Sequence, residues 1–216
     1  MNSQLAIACV DVGKNVGWAL LTETGPVLGS TLEPLIERLV AALRCGKPVA
    51  LGFECPLYFP RRPGPDAPLR ARAGEGNRAW ATGAGAAALV AGLGQLDAVL
   101  TGIARDARGV VGTTRWADFS AGLSSLFLWE AFITGTQGPV VPIPTAFVRS
   151  ATADQQDALT GALAFAGRIR TGAPSSDLGR EPVRSLAALQ LLANGLSTDV
   201  SLLGEPCLVI KARKAK

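Results

Sequence analysis

The chain has 216 residues, 48% of them hydrophobic, and a formal net charge of +4 with no histidine at all. That is ample apolar material for one large domain or two small ones, and no run of about 18 uninterrupted apolar residues marks a membrane span. Without imidazole, zinc sites built on histidine and Ser-His-Asp or Cys-His catalysis are largely excluded, and carboxylate remains as the metal-binding group. Cys9, Cys45, Cys55 and Cys207 are widely spaced, with no CxxC pair. They read as buried thiols of a cytoplasmic protein, an expectation strengthened by the lack of a signal-peptide pattern.

In chain order, LAIACVDV is a short apolar run that predicts a buried strand. A turn at 13–15 leads to VGWALLT, and Gly25-Pro26 leads to VLGSTL, so the first 32 residues predict three consecutive antiparallel strands. Residues 33–44 carry Leu35, Ile36, Leu39, Val40 and Leu43 at helical spacing, and PVALGFEC returns as a fourth strand. The stretch 56–77, rich in proline and glycine, predicts a long irregular loop. An alanine-rich segment at 78–108 predicts one helix or two, since its glycines weaken continuity. SSLFLWEAFITG predicts a fifth strand, and PVVPI a further short extended piece. Thr152 and Gln155 form a capping-box pattern that opens a helix into ALTGALAFAGRI, and 181–194 predicts a last helix.

Carboxylates stand at unusual places in this pattern. Asp11 ends the first strand, Glu54 ends the fourth, and Asp154 and Asp157 lie on an apolar helix. An unpaired buried carboxylate costs several kcal/mol, so such a set points to a cation held by oxygens, Mg²⁺ or Mn²⁺. Asp154 and Asp157, three residues apart, share one helix face. Each has a plainer reading as well: a turn-forming Asp11, a Glu54 paired with a nearby arginine, an Asp154 favoured by the helix dipole. Glu130, in an otherwise apolar strand, either joins the site or pairs with a buried arginine.

The motifs ACVDVGKNVGWAL, GFECPL and Asp154-Gln-Gln-Asp157-Ala, in this order, resemble the RNase H-like superfamily, especially the Holliday-junction resolvases and related predicted nucleases. The likeness spans roughly residues 5–170. It implies an α/β fold: a mixed five-stranded sheet with three antiparallel N-terminal strands, flanked by helices, in a single domain over 1–216. It also implies a nuclease that hydrolyses phosphodiester bonds by a two-metal mechanism, with two Mg²⁺ or Mn²⁺ ions about 3.5–4 Å apart. By resemblance Asp11 bridges the ions, Glu54 holds one, and Asp157, with or without Asp154, holds the other. Glu130 is a second-tier candidate from its place in the strand.

The expected partner is nucleic acid, DNA or RNA, structured or single-stranded, with no membrane and with a homodimer left open. Two basic concentrations fit a phosphate backbone: an arginine-rich loop at about 56–78 and a basic C-terminal tail at 211–216. Arg61, Arg62, Arg70 and Arg72 are the candidate backbone contacts, with Lys14 beside the first motif. Trp80, Trp116 and Trp129 can stack on bases, although core packing is the plainer reading. Two other functions compete: a non-catalytic nucleic-acid or protein binding module of the same fold, and a nucleotide-binding protein of the actin and sugar-kinase group. The latter lacks its second glycine-rich phosphate motif here.

Overall fold

Alternation of apolar residues builds the centre of the molecule. A computed structural model describes residues 5–64, 66–76, 80–134 and 136–215. Arg78 and Lys216, which belong to the basic loop and tail of the sequence reading, lie outside the described residues. Strands β1 (Ala6–Asp11), β2 (Gly17–Thr22) and β3 (Gly25–Gly29) form the expected antiparallel meander, followed by α1 (Leu32–Arg44) and β4 (Val49–Phe53). Then come β5 (Tyr58–Pro60), α2 (Gly83–Asp106), β6 (Gly112–Thr113), α3 (Trp116–Ser120) and β7 (Leu126–Ile133). The chain continues through β8 (Val140–Val141), α4 (Thr145–Ser150), α5 (Ala153–Thr171), β9 (Val183–Ser185), α6 (Leu186–Ala193) and β10 (Val209–Lys214).

The main sheet is mixed and curled, in the order β3-β2-β1-β4-β7-β10-β8, with β6 also beside β7. Strand β1 is antiparallel to β2 but parallel to β4, and β4, β7 and β10 continue in parallel. Because side chains alternate across a strand, each strand feeds two cores. Ala8, Val10, Leu51, Phe53 and Leu128 pack with Leu35 and Leu39 of α1 and Leu96 and Leu100 of α2. Ile7, Cys9, Phe127, Trp129 and Ala131 pack on the other face with Ala158, Leu159, Ala162 and Phe165 of α5. By length and composition α2 is the one described helix that could cross a membrane, yet Leu96, Val99, Leu100 and Ile103 along it are fully buried in this fold.

The sheet has more than the five strands expected, and the C-terminal tail, the start of the last expected helix and the irregular loop differ from the sequence reading. The presumed basic tail is strand β10, hydrogen-bonded in parallel to β7 through Val209↔Glu130 to Ala212↔Ile133. Burial of Val209, Ile210 and Ala212 drives it. Lys211 is carried inside with them, where its ammonium donates to the Gly74 carbonyl and to Gln137 Oε1 and lies over the Phe132 ring. The start of the expected 181–194 helix is instead strand β9, since Val183 and Ser185 alternate inward and pair with β5 inside the supposedly irregular loop. Residues 83–106 are one continuous helix.

Helix α5 starts with the expected capping box: Gln155 N donates to Thr152 Oγ1 at 3.2 Å, and Thr152 N donates to Gln155 Oε1 at 3.0 Å. It lies unusually close to the sheet because of two glycines, one on the sheet and one on the helix. A Cβ on Gly17 of β2 would meet the Asp154 carbonyl carbon at 2.3 Å, and one on Gly161 would meet Cys9 Sγ at 2.7 Å. No side chain fits between backbone and backbone, so Gly17→Ala must push the helix off the sheet. Overpacking of this kind costs about 1–3 kcal/mol. Urea unfolding of Gly17→Ala is expected to show a loss of that size, whereas Gly94→Ala, which meets nothing within 4 Å, is expected to be neutral or stabilising.

Candidate functional site

The C-terminal ends of β1 and β4 are neighbours, because Val10 pairs with Phe53 and Glu54 N donates to the Val10 carbonyl at 2.8 Å. Asp11 and Glu54 are therefore the next residues on two neighbouring parallel strands. Alternation along β1 puts Asp11 on the same face as Ile7 and Cys9, the face covered by α5. Helix α5 approaches that face with Gly161 on Cys9 and its first turn on Gly17, which brings Asp154 and Asp157 to Asp11. Both are close enough to Asp11 for their charges to repel its own. Burial, then the charges of Asp157 and Asp154, push the Asp11 carboxyl up to about 7, against a smaller opposing pull from Lys214.

Lys214 is the residue that sequence reading missed. Its Nζ lies 2.7 Å from Asp157 Oδ1, an ion pair rather than an aligned hydrogen bond. Read as part of a basic tail, it gave no signal. The apolar run Leu208-Val209-Ile210, with Ala212 beyond Lys211, was the available clue, because it marks a buried strand rather than a tail.

Glu54 also walls a cleft of about 400 Å³, together with Cys55, Glu75, Trp80, Glu130 and Phe132. The donor set of Asp11, Glu54, Asp154 and Asp157 is all oxygen and suits a hard divalent ion. After burial, repulsion from Asp157 and Asp154 lifts Asp11, and that part is what such an ion would relieve. Among the described residues, however, no three Asp, Glu, Cys or His side chains form a ready-made cage. A cation would have to draw the acids together and compete with Lys214 for Asp157.

Two candidate residues belong elsewhere. Glu130 pairs in the sheet with Phe53, not with Glu54, so it points to the face opposite Asp11. Both its oxygens are taken: Arg72 donates to Oε1 at 2.6 Å and to Oε2 at 2.8 Å, and Leu57 N donates to Oε2 at 2.9 Å. Glu130 is thus the partner of a buried arginine and not a metal ligand. Arg72, in turn, is 2% exposed and also holds Glu75, while its guanidinium lies over the Tyr58 ring at 4.7 Å. Burial disfavours its charge, but Glu130 and Glu75 outweigh that and hold the proton more firmly than usual. Arg72 is spent inside the fold and does not reach a phosphate backbone.

Arg62 is also committed, donating to Glu181 at 2.7 and 2.9 Å and to the Ala67 and Ala71 carbonyls. Arg61 and Arg70 remain exposed, as does Lys14 in the turn after Asp11, where Gln95 Nε2 donates to the Gly13 carbonyl at 2.8 Å. Trp129 and Trp116 are packed among Phe127 and Phe165, Trp129 stacked on Phe165 at 4.6 Å, so both serve the core. Trp80 stacks on Phe59 at 5.7 Å.

Two outcomes follow from this electrostatic arrangement. Arg72→Ala leaves two carboxylates buried without their cation, and denaturant unfolding is expected to show a loss of about 3–5 kcal/mol. Arg61→Ala, at an exposed position, is expected to stay within about 0.5 kcal/mol of the parent. Asp11 supplies a pH dependence. Its folded value of about 7 lies above its ordinary value near 3.8, so between those limits the folded state binds more protons than the unfolded one. Stability therefore falls as pH rises from about 4 to 7, and Asp11→Asn removes that fall. Melting temperatures of the two proteins across this range are expected to diverge, with the Asn variant gaining relative to the parent up to pH 7–8.

Comparisons with protein-family models, with characterised proteins and with solved structures find no match to this chain.

Proposed function

We propose that this protein is a divalent-metal-dependent nuclease with an RNase H-like fold, acting on nucleic acid in the cytoplasm. The observation that carries the reading is the meeting of Asp11 with Asp154 and Asp157, elements more than a hundred residues apart, at the end of β1 where Glu54 is next in register. The sheet order β3-β2-β1-β4-β7, antiparallel in its first three strands and parallel after them, supports the same reading. The motif order does so as well.

In this reading Asp11, Glu54, Asp157 and Asp154 hold the ions, Mg²⁺ or Mn²⁺. When bound, such ions supply an activated water and neutralise charge on the leaving oxygen, so a chain without histidine needs no imidazole base. Asp11, whose carboxyl is raised to about 7 by burial and then by Asp157 and Asp154, would give up its proton on binding a cation. Lys214 holds Asp157 in place until then. Two ions and a homodimer belong to the proposal by resemblance alone.

A second reading, a non-catalytic binding module of the same architecture, has one specific observation behind it: the Lys214 ammonium already neutralises Asp157. The two are separated by incubating the protein with labelled duplex, single-stranded, junction and hybrid substrates in Mn²⁺. The nuclease reading expects cleavage of at least one substrate and a loss of about a hundredfold or more in Asp11→Asn, a first-rank ligand. Absence of Mn²⁺-dependent cleavage across the whole panel would leave only the binding module.

A further inference from the structure

The small sheet of β5 and β9 makes a surface that neither strand makes alone. Its register pairs Phe59 with Arg184 and Pro60 with Val183, and Arg61 N donates to the Pro182 carbonyl at 2.7 Å. Val183 and Ser185 are buried, so Arg184 between them points outward, beside the half-buried ring of Phe59. Arg61 follows on the same ribbon, exposed. Arg70 is brought near by the loop that wraps Arg62, whose guanidinium donates to the Ala71 carbonyl at 3.1 Å.

The nearby charges are not equivalent. Glu181 is consumed by Arg62, with which it forms a bidentate pair, and Asp66 is the one exposed acid of this loop among the described residues. Arg61, Arg70 and Arg184 have no ion-pair partner among the described residues. A positive surface with an aromatic ring at its centre is therefore left to solvent. That ring leads inward: Phe59 stacks on Trp80 with planes 18° apart, and Trp80 is a wall of the same cleft that Glu54 lines.

We propose that the β5–β9 ribbon is a docking site for single-stranded nucleic acid, with phosphates on Arg61 and Arg184 and a base against Phe59, feeding the strand toward the Glu54 cleft. The inference rests on the nucleic-acid reading above and gives it a substrate class. Arginine beside an aromatic ring suits a single strand, since its bases are free to stack while its backbone tracks the charges. A duplex keeps its bases stacked on one another and offers nothing to Phe59. The ribbon is also narrow, two short strands about 4.8 Å apart, which matches one backbone rather than two.

The test measures binding apart from chemistry. A fluorescein-labelled dodecanucleotide, as DNA and as RNA, is titrated in EDTA with the parent protein and with Arg61→Gln/Arg184→Gln, followed by anisotropy at several salt concentrations. Both substitutions are at exposed positions, and circular dichroism checks that the fold is intact. The expected result is roughly tenfold weaker binding at moderate salt and a salt slope reduced by about 1.4, the value for two lost phosphate contacts on a single strand. Phe59→Leu is expected to weaken binding without changing the slope. A preference for DNA or for RNA fits the proposal equally. It is overturned if the double variant binds like the parent, if the parent binds no single strand, or if blunt duplex binds the parent as tightly. Mn²⁺-dependent cleavage that persists in any of those cases would leave the nuclease reading standing and remove only this site.

Discussion

The seating of α5 against the sheet is the constraint on which the candidate site depends. Helices normally stand off a sheet by the thickness of two side-chain layers. Here Gly17 and Gly161 remove one layer at two points, and the helix backbone comes to rest on β2 and on Cys9. The gain is close packing of Ala158, Ala162 and Phe165 on the sheet. The consequence is electrostatic: burial first, and then the charges of Asp157 and Asp154 that the first turns of α5 deliver, raise the Asp11 carboxyl to about 7. Lys214, arriving from β10 two strands beyond β4, offsets part of that repulsion.

A second buried charge arrangement organises the opposite face. Arg72 is held between Glu75 and Glu130, with Leu57 N completing the set, so the segment after β4 is tied to the centre of β7. Paired and hydrogen-bonded throughout, the group tolerates burial that a single charge would not. It also fixes Trp80 near the cleft, since Trp80 N donates to Glu75 Oε2 at 3.3 Å. The same pinning leaves Arg61 and Arg184 on the outer ribbon. A loop rich in arginine is thereby divided between charges used for folding and charges offered to solvent.

Much of this was legible along the chain. The three antiparallel strands, α1, β4, β7 and the capped start of α5 all have short-range signals: alternation, helical spacing, turn residues, a capping box. The placement of Asp11 and Glu54 at strand ends follows from the same signals. Less legible were β9 and β10. In KARKAK the charges mask the buried Val209, Ile210 and Ala212, and a three-residue strand such as Val183–Ser185 is too short to show a period.

Sequence alone thus determined most of the elements and the chemical character of the candidate site, an all-carboxylate set in a chain without histidine, because propensity, periodicity and composition are properties of neighbouring residues. Only the tertiary structure decided which charges meet. Arg72 and Glu130 are separated by 58 residues, yet one guanidinium satisfies both Glu130 oxygens. Asp157 finds Lys214, and Phe59 finds Arg184, through strand pairings and helix packing that no local pattern encodes. The reason is physical: the fate of a charge depends on its burial and its partner, and both are set only when distant segments close around it.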